Sequence, residues 1–168
     1  MSGAGVEIER KYLLPGPPPA LVLESATSYA IDQTYLTATS GARRVRRRVG
    51  PDGERFWLNQ KHALGGLTRS EDERELSADE YRRLLEEADP LSGTVRKTRH
   101  VIGHGAQAIE LDIFTTPPGL VLLEVELDDA ADVPDLPPAI ATLVVREVST
   151  EATYTNHALA LRPPGEPA

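Results

Sequence analysis

The chain alternates polar and apolar residues in a series of short segments, which is the pattern of strands with two different faces. In the first such segment Glu7, Glu9 and Lys11 share one face, while Val6 and Ile8 point the other way. Short connections between the segments favour a mostly antiparallel arrangement. About eight strands are predicted, at 6–14, 31–36, 42–49, 55–62, 67–76, 94–102, 108–114 and 120–127, and a last one is considered at 144–149.

One helix is clearly signalled. Ser77 is a good N-cap residue, Glu80 completes a capping box, and an apolar stripe with helical spacing begins at Tyr81. Pro90 stops the pattern. Two further helices are predicted, at 20–26 and from a cap at Ser149 or Thr150 to Leu161.

The strands at 42–49 and 55–62 form a predicted hairpin, because residues 50–53 supply turn chemistry. Charged and polar side chains share one face in both arms: Arg44, Arg46 and Arg48 in the first, and Trp57, Asn59 and Lys61 in the second. Arg43 and Arg47 lie on the opposite face, so the first arm cannot be fully buried against an apolar layer.

Several other strands carry charges on one face and apolar residues on the other. The charged pairs are Lys97 with Arg99, Glu110 with Asp112, and Glu124 with Glu126. Two architectures explain this: an open sheet with its charged face in water, or a closed barrel with a wet, charged lumen and an apolar outside covered by helices. Periodicity alone favours the open sheet.

Composition narrows the class of protein. A length of 168 residues fits one domain, predicted at residues 1–162 with a frayed tail at 163–168. A net charge of −8 argues against general nucleic-acid binding, although the arginines at 43–48 suggest a small polyanion held at a defined place. Because the chain has no cysteine, any metal must be bound by carboxylates, histidines or water. Short apolar runs and the lack of a secretory signal predict a cytoplasmic protein without membrane spans.

The first strand has a possible chemistry of its own. Its two carboxylates could bind a hard divalent cation, and Lys11 could hold a phosphate oxygen. A solvated strand face explains the same residues equally well.

The spacing Glu7-x-Glu9-x-Lys11 resembles the E-x-E-x-K signature of the CYTH domain, also called the triphosphate tunnel metalloenzyme family. Further matches follow in family order from Val6 to about Leu161. They are Arg44-Val45-Arg46, the strand ending in Lys61, Arg69-Ser70-Glu71-Asp72-Glu73, Lys97-Thr98-Arg99, Glu110-Leu111-Asp112, Glu124-Val125-Glu126 and Glu147-Val148-Ser149 with Tyr154 and Asn156. The resemblance implies an α+β protein: a closed eight-stranded antiparallel barrel with helices on its outside, binding a linear triphosphate with Mg²⁺ or Mn²⁺ in the lumen.

The same resemblance implies roles for individual residues. The expected phosphate contacts are Lys11, Arg44, Arg46, Lys61, Arg69, Lys97 and Arg99, with Lys11 and Lys97 as catalytic lysines. The expected metal ligands are Glu7, Glu9, Asp112, Glu124 and Glu126, with Glu71 or Glu73 as weaker candidates. The register leaves open whether Arg48 replaces Arg46, and Lys97 and Arg99 could instead pair with Glu110 and Asp112 across the sheet. Clustered carboxylates are expected to have raised pKa values unless a cation lies among them.

The expected activity is hydrolysis of inorganic triphosphate to phosphate and pyrophosphate. The alternatives are a class IV-type adenylate cyclase, a thiamine or nucleoside triphosphatase, and a binding module for polyphosphate without catalysis. Tyr35 is interpreted as a core residue or one at the tunnel mouth, and the four histidines as surface or satisfied polar residues. A homodimer is left open.

Overall fold

The computed structural model describes residues 3–65 and 67–161, without the side chains of residues 3–6, 63, 65, 68 and 69. The strands are β1 (Gly3–Leu14), β2 (Thr27–Leu36), β3 (Ala42–Gly50), β4 (Gly53–Gly65), β5 (Thr68–Leu76), β6 (Thr94–His104), β7 (Gln107–Thr116), β8 (Val121–Glu126) and β9 (Arg146–Glu147). The helices are α1 (Ala20–Leu23), α2 (Ala78–Leu84), α3 (Pro138–Ala141) and α4 (Asn156–Ala160), with 3₁₀ turns at Leu85–Glu87 and Ala152–Tyr154.

All nine strands belong to one antiparallel sheet, in the order β5-β4-β3-β2-β6-β7-β8-β1-β9. Strand β1 has two partners along its length besides β9. Its second half, Glu9–Leu14, pairs with β8, and its first half, Gly3–Ile8, pairs with β5. The sheet therefore curls until β1 meets β5, and one of its faces becomes an inside.

The register decides which side chains share that inside. Residues directly opposite each other in an antiparallel pair lie on the same face. The direct partners are Tyr35 with Arg44, Arg44 with Asn59, Lys61 with Glu71, Arg99 with Asp112, Glu110 with Glu124, Lys11 with Glu124 and Glu9 with Glu126. The charged faces predicted for separate strands are thus one continuous inner surface.

The outer face is apolar and is covered by helices, as predicted. Leu111, Leu123 and Val125 are fully buried and form a cluster with Ile140 of α3. Further round the same outer face, over β2 to β5, a second cluster contains Tyr81 of α2 together with the strand residues Leu36, Val45 and Leu76. Each buried side chain of this size contributes about 1.5–3 kcal/mol to folding.

Helix α4 does not pack on the outer face of the sheet. Its Leu159 is buried in a third cluster with Tyr35, Val95, Phe114 and Leu122. These four strand residues are direct partners of inner positions, so the cluster lies inside the curled sheet at one end. The expectation that all helices pack on the outside is wrong for α4.

The predicted elements are confirmed in the middle of the chain and fail towards its end. The hairpin forms with Pro51 and Asp52 between its strands. The closing helix begins much later than predicted: Thr155 caps it, accepting from the Ala158 N–H at 3.2 Å, and it is only five residues long. The last strand shrinks to Arg146–Glu147.

The capping box of α2 gives a pH prediction. The Ser77 N–H and the Arg74 side chain donate to the Glu80 carboxylate and lower its pKa from 4.5 to about 2. A carboxyl whose pKa falls on folding stabilises the protein above its unfolded value, and this stabilisation disappears as the pH falls towards the folded value. Urea unfolding should show a deficit of Glu80→Gln against the unmodified protein that shrinks between pH 4.5 and about 2. A deficit that stayed constant over this range would contradict the assignment.

Three predictions fall beyond the described part of the chain. The frayed tail at 163–168 and the end of the domain at residue 162 lie outside it, as does the Arg69 side chain. Within the described part, no helix combines the length and apolar character needed to cross a membrane.

Candidate functional site

A cavity of about 1270 Å³ lies inside the curled sheet. Side chains from β1 to β8 line it, together with the segment that leads into α4. Eleven of the expected phosphate contacts and metal ligands take part: Glu7, Glu9, Lys11, Arg44, Arg46, Lys61, Glu71, Glu73, Arg99, Glu124 and Glu126. Residues that are far apart in the chain thus meet at one place.

The two lysines of the wall are held by carboxylates. Lys11 is almost fully buried, and its Nζ lies 3.0 Å from Glu124 and donates to the Tyr154 carbonyl at 3.2 Å. The Lys61 Nζ donates to Glu7 at 2.5 Å and lies 3.5 Å from Glu71. Both ammonium groups are therefore fixed in place by acids on other strands, and Lys11 also by the 3₁₀ turn at Ala152–Tyr154.

The arginines of β3 face the carboxylates of β5. Arg46 donates to Glu73 at 2.8 Å, and Arg44 lies 3.9 Å from Glu71. Asn59 sits between the two carboxylates, fully buried, and its Nδ2 donates to Glu71 at 2.7 Å and to Glu73 at 2.6 Å. Burial and the neighbouring Arg44 lower the pKa of Arg46 to about 10, which still leaves it charged at neutral pH.

Arg99 is surrounded by acids. Its guanidinium makes two hydrogen bonds of 2.7 Å to Asp112, one of 3.1 Å to Glu124, and a further ion pair with Glu110. Only 14% of the side chain is exposed, and that part faces the cavity. Such bidentate contacts are the strongest that a guanidinium forms with carboxylates or phosphates.

Lys97 and Asp112 do not line the cavity. Both side chains lie on the inner face of the sheet but have no exposed surface, and they form an ion pair with each other beneath the residues that line the cavity. Lys97 also lies 5.2 Å from the centre of the Phe114 ring. The pairing of Lys97 and Arg99 with acids of the next strand, considered from the sequence, is therefore present. Asp112 bonds to both Lys97 and Arg99, so the buried pair holds the Arg99 side chain in position.

The structure shows which of two arginines of β3, Arg46 or Arg48, lines the cavity. Arg46 lines the cavity, whereas Arg48 lies between the rings of Tyr29 and Trp57, 4.5 and 4.9 Å from their centres, and pairs with Asp52. The outward arginines of this strand pair with acids on the outer face: Arg43 with Glu87, and Arg47 with Asp32 and Glu54.

The carboxyl pKa values separate into two groups, so the expectation of raised values holds for only part of the site. Burial raises the pKa of Glu7 and of Glu126, and nearby carboxyl groups add to it in both cases. Burial also acts on Glu124 and Asp112, but Lys11, Lys97 and Arg99 outweigh it and hold their pKa values below the usual range. Carboxylates close to the buried cations are therefore stabilised as anions.

The acidic side chains that line the cavity are suitable ligands for Mg²⁺ or Mn²⁺, although those described are not close enough together to coordinate an ion. Among the described lining residues nine acids face five lysines and arginines, so an excess of oxygen ligands with negative charge is present. However, no group of three or more described acidic or histidine side chains is close enough to coordinate an ion. Glu9 and Glu126 are direct cross-strand partners, so they are the best-placed pair of carboxylates for a metal site.

Several residues of the cavity were given no role in the site by the sequence analysis. Gln33 and Asn156 line the wall as uncharged polar groups, and His157 projects into it with its ring 4.8 Å from that of Tyr35. Asn59 supports two of the acids. The only signal for Gln33 and Asn59 was their alternation with charged residues on the inner faces of β2 and β4, while His157 lies in a segment without periodicity.

Comparison with known proteins gives one clear group of likenesses. The sequence matches no family model, and no curated protein is significantly similar to it. Among solved structures, the inorganic triphosphatase NE1496 is 29% identical over 95% of this chain and 97% of that one, with a TM-score of 0.61. The PH1819 protein from Pyrococcus horikoshii OT3 is 19% identical over 73% and 79% of the two chains, with a TM-score of 0.54, and shares the fold.

A putative adenylate cyclase from Bacillus halodurans also shares the fold, with 18% identity over 83% of this chain and 98% of that one and a TM-score of 0.50. The motifs found in the sequence converge on one cavity, and the proteins that share this architecture include a triphosphatase and a putative cyclase. Together, the motifs, the cavity and these structural likenesses support a CYTH or triphosphate tunnel domain.

Proposed function

We propose that this chain hydrolyses linear inorganic triphosphate to phosphate and pyrophosphate inside the charged cavity, with Mg²⁺ or Mn²⁺ as the metal ion. The likeness to an inorganic triphosphatase over almost the whole of both chains supports the reaction. The pairing of β1 with β5 supports a closed tunnel as the container.

One observation carries the proposal. Five buried N–H donors have no hydrogen-bond partner among the described residues, and three of them, on Gln33, Arg44 and Arg46, are neighbours on the inner faces of β2 and β3 and line the cavity; the other two, on Arg10 and Arg48, do not. Unsatisfied buried donors are rare in proteins and call for an acceptor. A ligand rich in anionic oxygens provides acceptors for all three, and a linear triphosphate has oxygens at regular intervals along its length.

The residues of the wall divide the work of binding. Arg44, Arg46 and Arg99 can each grip phosphate oxygens with two parallel hydrogen bonds, whereas Lys11 and Lys61 act as point charges. Fixing all three phosphates aligns the bond that breaks and lowers the entropic part of the barrier. Arg69 is proposed to join this set.

The reaction transfers a phosphoryl group to water. The oxygen of water bonds to the terminal phosphorus, the bond from that phosphorus to the bridging oxygen breaks, and pyrophosphate leaves. The positive side chains stabilise the charge that develops on the leaving oxygens. A metal ion held by Glu7, Glu9, Glu124 and Glu126 would neutralise phosphate oxygens and lower the pKa of bound water.

The direct test is phosphate release from inorganic triphosphate in Mg²⁺ or Mn²⁺, compared with ATP and thiamine triphosphate. We expect turnover of inorganic triphosphate with pyrophosphate as the second product, and much slower turnover of the organic triphosphates. Cyclic AMP from ATP would overturn the proposal in favour of a cyclase. Tight binding of triphosphate without turnover would overturn it in favour of a binding module. A cytoplasmic location and a homodimer stay predictions.

A further inference from the structure

Each described lysine and arginine that lines the cavity is paired with an acid. Lys11 lies 3.0 Å from Glu124, Lys61 is bonded to Glu7, Arg46 to Glu73, Arg44 lies 3.9 Å from Glu71, and Arg99 contacts Glu124 and Glu110. The groups suited to phosphate and the groups suited to a divalent cation are therefore each other's partners. This arrangement also explains why the described acids form no preassembled metal site.

The pairing has an energetic consequence for each ligand alone. A polyphosphate that takes Lys11 and Arg99 must displace Glu124 and leave its carboxylate beside an anionic ligand, in a wall where it is only 8% exposed. A cation that takes Glu124 must leave the two basic groups without that partner. Breaking one side of a buried ion pair is strongly unfavourable.

Resting on the proposed function, we propose that polyphosphate and divalent cation bind with positive coupling because the ion pairs of the wall exchange partners. Carboxylates move from lysine and arginine to the metal ion, and phosphate oxygens take their place on the basic groups. No group is then left buried without a partner. Because coupling is reciprocal, each ligand raises the affinity for the other by the same factor.

The chain offers a matched control for this exchange. Glu126 lines the same cavity and is adjacent to Glu124 on the inner face of β8. Among the ion pairs between described side chains, none includes Glu126, whereas Glu124 takes part in two. Glu124→Gln and Glu126→Gln therefore remove the same charge from the same wall, but only the first releases cations.

The test measures binding without turnover. The probe is a linear triphosphate analogue with imido groups in place of the bridging oxygens, titrated by calorimetry in EDTA. Without metal, Glu124→Gln should bind the analogue about tenfold or more tightly than the unmodified protein, because Lys11 and Arg99 lose a competitor. Glu126→Gln should tighten binding by a much smaller factor. Equal gains in the two variants would show a general charge effect and overturn the proposal.

A second pair of measurements guards against misfolding of Glu124→Gln. Glu7 is 29% exposed and holds Lys61, so Glu7→Gln should give a similar gain in metal-free affinity. In the unmodified protein, the affinity for Mn²⁺ measured by electron paramagnetic resonance should rise with saturating analogue, and the factor should fall in Glu7→Gln. A factor that is the same in both proteins contradicts the exchange. None of these measurements needs hydrolysis. The coupling can therefore be disproved while the proposed activity is confirmed, and the proposed activity can be disproved while the coupling is confirmed.

Discussion

Replacement of Lys11 by alanine is expected to lower kcat/KM for inorganic triphosphate by about a thousandfold, the usual effect of removing one preorganised group that stabilises charge in a transition state. Lys11 is 6% exposed and faces the cavity, where it lies 3.0 Å from Glu124. A buried ammonium acts through a lower effective dielectric than water, so its interaction with a phosphate is strong. Steady-state kinetics of phosphate release in Mg²⁺ measures the loss.

Arg10 gives a matched control for this experiment. It is the neighbour of Lys11 in β1, but its side chain points outward and pairs with Glu147 at 3.3 Å. Arg10→Ala removes a cation from the same strand and should change kcat/KM by less than about threefold. If both variants lost activity equally, disturbance of β1 rather than loss of a group in the cavity would be the cause, and the role assigned to Lys11 would be wrong.

Replacement of Asp112 by alanine is expected to destabilise the fold by about 3–5 kcal/mol, the range for removing one partner from a buried ion pair. Asp112 has no exposed surface and holds two cations, Lys97 and Arg99. Without it, Lys97 keeps only the Asn156 side-chain oxygen as a described hydrogen-bond acceptor, at 3.5 Å. Urea unfolding followed by circular dichroism gives the change in free energy.

An aspartate on the outer face controls for the loss of a charge. Asp32 pairs with Arg47 and Arg96 but is 31% exposed, so water can replace it, and Asp32→Ala should cost at most about 1 kcal/mol. Equal destabilisation by the two substitutions would show that burial of Asp112 is unimportant. A stable Asp112→Ala protein would also reopen the sequence-based role of Lys97 as a phosphate contact.

Much of the fold could be predicted because the strands alternate strictly. The charged faces of β1, β3 and β7 and the capping box of α2 are local patterns, and local patterns depend on neighbours two to four residues away. The closing helix could not be predicted in the same way. It has five residues and one buried leucine, which is too short for an apolar face with helical spacing. It forms because Leu159 packs between inner residues of four strands.

In the site, too, local periodicity predicted some features and not others. Strand periodicity predicted that Arg46 and Lys61 would face the same way as their neighbours' charges, and both line the cavity. The family resemblance implied that Lys97 contacts phosphate, but its side chain is completely buried in an ion pair with Asp112 and does not line the cavity. Arg48 differs from Arg46 only by two positions, yet that step takes it from the cavity to a place between two aromatic rings.

The sequence alone determined which residues alternate, which faces carry charge, and hence that acids and bases would be segregated from an apolar face. Those properties follow from backbone geometry within single strands. Only the tertiary structure decided that the charged faces meet around one cavity, which inner side chains are completely buried, and which acid holds which base. These outcomes depend on the pairing of strands far apart in the chain, above all β1 with both β8 and β5, and no local pattern encodes that pairing.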